Sequence, residues 1–305
     1  HLGERSPLAV FSYSDVIKNL WAVIFAGGDC AEDIGANLKG ELSQIENLNV
    51  CPSDTLLHLQ KSLALDKETL IGKSGSVNDI SRHATLNELN LDMLLQSKTL
   101  KPNRFYDLDF DHQFIPCEKY DSKKGYKMKQ GYFPGVVSIG REIVFIENRN
   151  GNSNVKFKQA GTLAEAYELP ESKKIKIDRS RMDCGSFTKE IIETVEASSK
   201  RFYIRAQRCG ELSDQVKQVQ DWETVRIGLF DVEVCSIDHV VAEPMVLCTL
   251  YLPLIFCMTC TDVLPDRFFN FRTNMISKFA TPKYKKYPCI YVSLRSDAYC
   301  QIPSE

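Results

Sequence analysis

The sequence predicts an α/β protein, a mixed sheet flanked by helices and preceded by an N-terminal helical region. Three observations carry that expectation. Apolar residues recur at helical spacing through the first hundred positions. From Arg104 the period switches to strict alternation. Short strand-like and helix-like stretches then follow one another as far as about residue 219.

The composition suits such a fold. A chain of 305 residues with 43% hydrophobic and 26% charged side chains can bury a large core, which excludes a disulfide miniprotein and a disordered chain. The net charge of -2 argues against a uniformly cationic nucleic-acid coat. By segment, residues 1–100 carry -5, residues 101–226 carry +4 and the remainder -1, so a polyanion site is expected in the middle. Eleven cysteines without secretory features suit a reducing, cytoplasmic compartment. Cys257-x-x-Cys260 has no second pair at zinc-finger spacing, so no zinc site is expected. The apolar runs at 20–26 and 245–261 are too short, or broken by Pro253, to predict a membrane span. The chain starts at His1 without an initiator Met, from which an incomplete N-terminus is expected.

In the first hundred residues, Ser14 or Asp15 caps a helix over 16–25 that stops at Gly27-Gly28. Residues 31–42, 53–65 and 86–100 repeat the pattern. This region reads as a bundle that only packs or as a domain that binds DNA ends; its acidic balance gives the second reading no electrostatic support. Phe105-Tyr106-Asp107-Leu108-Asp109-Phe110-Asp111 is then a strand with two unlike faces. Residues 131–138 and 142–148 form two more strands around Ile139-Gly140-Arg141, and Asn150-Gly151-Asn152 makes the next turn. Thr162 caps a helix that Pro170 ends. A fourth strand begins at 174–177 and leads to Met182-Asp183. Residues 187–198 are helical, 201–206 form a fifth strand and 212–219 another short helix. A meander of three strands extended by two crossovers is the RNase H-like arrangement, with its first and fourth strands side by side.

Asp107, Asp109 and Asp111 share one strand face. Three carboxylates in a row repel one another unless solvent or a divalent cation compensates, so the strand is either a solvated face or half of a cation site. Asp183, at the end of the fourth strand in Arg181-Met182-Asp183-Cys184-Gly185, favours the second reading, because the topology sets it beside the acidic strand. Carboxylates on adjacent strands offer the hard oxygen ligands that Mg²⁺ takes. Two such ions would support in-line phosphoryl displacement, which makes the function cutting and joining of nucleic-acid strands.

Several ordered motifs carry a resemblance: Tyr106-Asp-Leu-Asp-Phe-Asp-His-Gln113, Gly125-Tyr-Lys, Gly131-Tyr-Phe-Pro-Gly135, Glu147-Asn-Arg-Asn-Gly-Asn152, Arg179-Ser-Arg-Met-Asp-Cys-Gly185 and Phe202-Tyr-Ile-Arg-Ala206. Up to about Ile237 the chain resembles bacterial insertion-sequence transposases of the DDE group 1 type. The resemblance implies an RNase H-like catalytic core, dependence on Mg²⁺ with Mn²⁺ as a substitute, double-stranded DNA with terminal inverted repeats as substrate, and action as a homo-oligomer in the bacterial cytoplasm at the nucleoid. By position Asp111 matches the family's first catalytic and metal-binding aspartate, with Asp109 as the other candidate, and Asp183 matches the second. The third member is a glutamate in a Tyr-x-x-Arg-x-x-x-Glu pattern, which does not occur after Asp183; Glu233 and Glu243 lack the Tyr and Arg at those offsets.

The tail departs from the rest. Residues 231–305 contain no glycine, against about five at an ordinary usage of ~7%, and hold six of the eleven cysteines. A frameshifted stretch from roughly Glu243 accounts for that change; a divergent C-terminal region is the alternative. The expected division is therefore 1–100 helical, 101–237 catalytic core and 238–305 an atypical tail. Lys119, Lys123, Lys124, Lys127 and Lys129 interleave with Tyr120 and Tyr126, a spacing that suits phosphate contacts and stacking or else a solvated loop. Arg181 and Arg205 are further phosphate candidates, each able to pair with an aspartate instead. His83, His112 and His239 are dispersed and receive no catalytic role.

Overall fold

A computed structural model describes residues 2–64, 67–73, 75–125, 128–206, 210–227, 230–240, 247–251 and 291–292. Two compact units divide the chain: His1–Glu68 with Ser81–Leu89, and Thr69–Ile80 with Asn90–Glu305.

The first unit is built on helices α1 (Tyr13–Phe25), α2 (Lys39–Leu42), entered through a π-helical turn at Ile34–Leu38, and α3 (Ser53–Leu63). The cap of α1 is Ser12, not Ser14 or Asp15. The Ser12 hydroxyl accepts the Asp15 N–H while the Asp15 carboxylate accepts the Ser12 N–H, a reciprocal box that fixes the first turn. Val16, Val23, Ile34, Leu42, Cys51, Leu56 and Leu59 form its core. Asn19 is buried among them at no polar cost: its amide donates to the carbonyls of Asp15 and Asn49 at 2.8 Å, and its oxygen accepts the Cys51 N–H at 3.0 Å.

The stretch after α3 is not all helical. Strands β1 (Glu68–Ile71) and β2 (Val77–Arg82) precede α4 (Ala84–Gln96). The helical reading missed them because a short, largely polar pair of strands carries little periodic signal.

The acidic strand is β3 (Phe105–His112). A small sheet follows, made of β4 (Ile115–Pro116), β5 (Lys123–Lys124) and β6 (Gln130–Tyr132) in the order β4-β6-β5. Then come β7 (Gly135–Ile139) and β8 (Glu142–Arg149), α5 (Gln159–Ser172), β9 (Lys176–Met182), α6 (Lys189–Ser198), β10 (Arg201–Arg205) and α7 (Gly210–Gln218). The strand expected over 131–138 is broken in two at Pro134, which has no N–H to give to a ladder. Gly140, at φ +66°, makes the turn between β7 and β8. Two expectations about α5 are corrected. It begins after Lys158, not at Thr162, whose hydroxyl is used inside the core, and it runs through Pro170 to Ser172.

The main sheet runs β1-β2-β8-β7-β3-β9-β10 and continues through β15 (Tyr291–Val292), β14 (Leu247–Tyr251) and β13 (Ser236–Val240). A separate hairpin joins β11 (Glu223–Ile227) and β12 (Phe230–Val234). At the centre, β3 is antiparallel to β7 and parallel to β9, and β9 is parallel to β10. The expected adjacency of the first and fourth strands is thus present, as β3 beside β9. Leu108 and Phe110 enter a core with Val137, Leu163, Met182, Ile191 and Phe202, while Asp107, Asp109 and Asp111 face the other way. The fold is mixed α/β with helices on the sheet. Most of the atypical tail, including Glu243, Cys257 and Cys260, lies outside the described residues.

A candidate catalytic cleft at the ends of the central strands

In the β3–β9 ladder Phe110 pairs with Met182. One residue beyond that pair stand Asp111, still in β3, and Asp183, just past the end of β9, where it caps the following turn. The Asp183 carboxylate accepts the Gly185 N–H at 2.8 Å. Asp111 accepts the His112 N–H at 2.8 Å. Both carboxylates line one open cleft of about 690 Å³, together with Lys124, Phe133 and the segment from Gly151 to Val155.

Asp109 is placed differently. It is only 9% exposed and is held by Arg181, whose Nε lies 2.5 Å from Oδ1 and whose Nη2 lies 2.7 Å from Oδ2. Burial pushes the Asp109 carboxyl above its ordinary range, against the pull of Arg181. Asp107 pairs likewise with Arg179 at 2.8 Å. The repulsion among the three carboxylates is therefore relieved by two arginines from β9, register partners of Asp107 and Asp109. Of the three, Asp111 is the one that lines the cleft. The same pairing engages Arg181. Arg205 is half-buried at the end of β10, where its charge opposes the upward push that burial gives the Cys184 thiol.

Lys119, Lys123, Lys124 and Lys129 are all exposed, and Lys124 reaches the cleft; Lys127 lies outside the described residues. Close backbone crossing holds β5 in place. A Cβ on Gly151 would collide with the carbonyls of Lys123 and Gly131, one on Gly125 with the Gly151 carbonyl, and one on Gly131 with that of Ile115. Three glycines thus let the lysine-bearing strand lie against the turn that forms the cleft wall.

No protein-family model and no curated protein matches this chain. The chemistry of the cleft must be read from its own residues.

Sequence reasoning missed the support under the cleft wall. Arg149 is buried with Glu147: Nε donates to Glu147 Oε1 and Nη1 to the Phe157 carbonyl, both at 2.5 Å, and Nη2 to Thr162 Oγ1 at 3.0 Å. Thr162 in turn donates to Glu147 Oε2 at 2.7 Å. This closed network ties the end of β8 to α5 across the loop that supplies Gly151 to Val155. Gln159 donates to Ser186 at 2.5 Å, joining the first residue of α5 to the turn carrying Asp183. Only the Glu-x-Arg spacing, which puts both side chains on one face of β8, hinted at the pair. His112 is buried beside Phe110 and Phe133, and burial with the nearby Arg149 charge pushes its imidazole down to about 3. It stays neutral at physiological pH.

Two carboxylates in an open, water-accessible cleft fit one hard divalent cation that keeps several waters. Among the described residues, no three His, Cys, Asp or Glu side chains are gathered as a metal group. No described helix is long and apolar enough to cross a membrane.

Proposed function

We propose that this chain is the RNase H-like core of an insertion-sequence transposase that binds double-stranded DNA and one divalent cation but does not complete strand cleavage. The observation that carries this reading is the placement of Asp111 and Asp183 at register-adjacent ends of parallel neighbours, in a cleft that also takes up Lys124. The strand order β8-β7-β3-β9-β10 supports it, being the order expected of three meander strands extended by two crossovers.

Asp111 and Asp183 would hold Mg²⁺, with Mn²⁺ as its substitute; when bound, the ion supplies positive charge against a DNA phosphate. Lys124 steadies a neighbouring phosphate, and Lys119, Lys123 and Lys129 extend that contact along the backbone. The terminal inverted repeats of an element are the DNA proposed, and a homo-oligomer the active form of an intact relative, in the bacterial cytoplasm.

A two-metal displacement needs enough negative charge to hold both ions against their mutual repulsion. Two carboxylates, not gathered with a third into a metal group among the described residues, favour a second reading of this molecule: a DNA-binding remnant that interferes with intact copies. Incubation with DNA carrying the element's ends, in Mg²⁺ and then Mn²⁺, tests the absence of cleavage that both readings share. The chain should leave that DNA intact, while a version with the frame restored beyond residue 243 should nick it. Nicking by the unrestored chain, abolished by Asp183→Asn, would overturn the non-cleaving reading.

A further inference from the structure

At the other end of β3 stands a second group of cations. Phe105 opens the strand and is 51% exposed. Its ladder partner is Lys176, whose Nζ lies 5.5 Å from the ring centroid, and Lys200 reaches the same ring at 4.0 Å. The backbone gathers three more. The Lys176 N–H bonds the Arg104 carbonyl at 3.0 Å, the Asn103 N–H bonds the Lys174 carbonyl at 2.7 Å, and the Lys101 N–H bonds Tyr106 Oη at 2.9 Å. Lys101, Arg104, Lys174, Lys176 and Lys200 are all exposed, and none forms an ion pair with the described residues. The nearby carboxylates are already used: Asp178 by Arg201 at 2.5 Å, Asp107 by Arg179 and Asp92 by Lys173 at 2.8 Å.

Helix polarity accounts for part of this charge. Lys174 follows the C-terminus of α5, where a cation offsets the partial negative charge of the free carbonyls. It does so at φ +62°, a conformation glycine adopts without cost and lysine does not. Helix polarity does not account for Lys176 and Lys200 converging on one ring. Like charges held together with no carboxylate partner among the described residues cost free energy that a bound polyanion would recover.

We propose that this edge, centred on Phe105, Lys176 and Lys200, is a second nucleic-acid surface that takes the phosphate backbone of DNA while Phe105 stacks on a base or sugar. Cations around one exposed aromatic match a ligand with regularly spaced phosphates and flat faces. A membrane surface would call for a broader apolar face than a single ring. The six steps along β3 from Phe105 to Asp111 separate this edge from the cleft by about 20 Å, at ~3.3 Å per residue. It therefore meets a stretch of DNA some six base pairs from any phosphate at Asp111, or a separate segment. The surface does not depend on the cleft being catalytic.

The test is fluorescence anisotropy of the full chain with a labelled 30-base-pair duplex and a 30-nucleotide single strand, from 50 to 200 mM salt. The variant Lys101→Gln/Arg104→Gln/Lys174→Gln/Lys176→Gln/Lys200→Gln should lose at least tenfold in affinity at the lower salt, with its log-log salt slope flattened by roughly one unit per phosphate contact removed. Phe105→Ala should weaken single-strand binding more than duplex binding and leave the slope unchanged. Circular dichroism confirms that each variant folds. Unchanged affinity and slope in the five-site variant would overturn the proposal. So would equal binding of the wild type to poly-glutamate, or to vesicles with half their lipid anionic, at matched charge.

Discussion

Arg181 grips Asp109 through two short hydrogen bonds, 2.5 and 2.7 Å, across the β3–β9 ladder. That pair engages one carboxylate of the acidic strand, whereas Asp111 lines the cleft. Both side chains are mostly buried, 15% and 12% exposed. Removing one partner leaves the other as an uncompensated buried charge.

Arg181→Met should therefore destabilise the second unit by about 3 kcal/mol, and the double variant Arg181→Met/Asp109→Leu should recover much of that loss. Urea denaturation of the three proteins measures both. Equal stability of Arg181→Met and wild type would show the pair to be energetically idle.

Arg149 and Glu147 are still more enclosed, at 0% and 1% side-chain exposure. Arg149→Met is expected to cost about 3–5 kcal/mol and to loosen the loop between β8 and α5. Hydrogen exchange should show that loop losing protection ahead of β3 and β9. Uniform loss across the sheet would mean that the network supports the core and not the cleft wall in particular.

The central architecture was legible because it rests on local period and order. Alternation in β3 and the turn at Gly140 are properties of adjacent residues, and the sequence of elements implied that β3 and β9 adjoin. That Arg181 could pair with an aspartate was legible; which aspartate it takes was not. Whether Asp109 faces a cation or Arg181 depends on register between strands some seventy residues apart, and a bulge between Tyr106 and Asp107 shifts that register. The hairpin β1–β2 was hidden for a related reason. Its pairing partner on the inner side is β8, so its stabilisation is non-local. Gly151 reads as a turn residue in sequence and Gly131 as the start of a strand, whereas the structure uses both for close backbone crossing.

Gly151→Ala tests that crossing. The new methyl would collide with the carbonyls of Lys123 and Gly131, neither of which can move without shifting β5 or β6. A loss of about 2 kcal/mol or more is expected, of the size overpacking produces, with weaker DNA binding at Lys124. Gly161→Ala, where a Cβ meets nothing within 4 Å on a helix, should be neutral or stabilising.

Cys51 reports on the first unit. Burial pushes its thiol up to about 11 from 9.0. Between those values the unfolded chain ionises while the folded one does not, so the unit should lose stability as pH rises through that window and keep it below pH 9. Iodoacetamide at pH 8 should modify exposed Cys30 well before Cys51, with mass spectrometry locating the adduct. Rapid modification of native Cys51 would contradict its placement in the core.

The most direct test of the account is Mn²⁺ titration of the full chain followed by electron paramagnetic resonance. The geometry of Asp111 and Asp183 predicts one bound ion per chain, lost in Asp111→Asn and in Asp183→Asn and retained in Asp107→Asn, whose carboxylate belongs to Arg179. Binding that survives both Asp111→Asn and Asp183→Asn undiminished would contradict it.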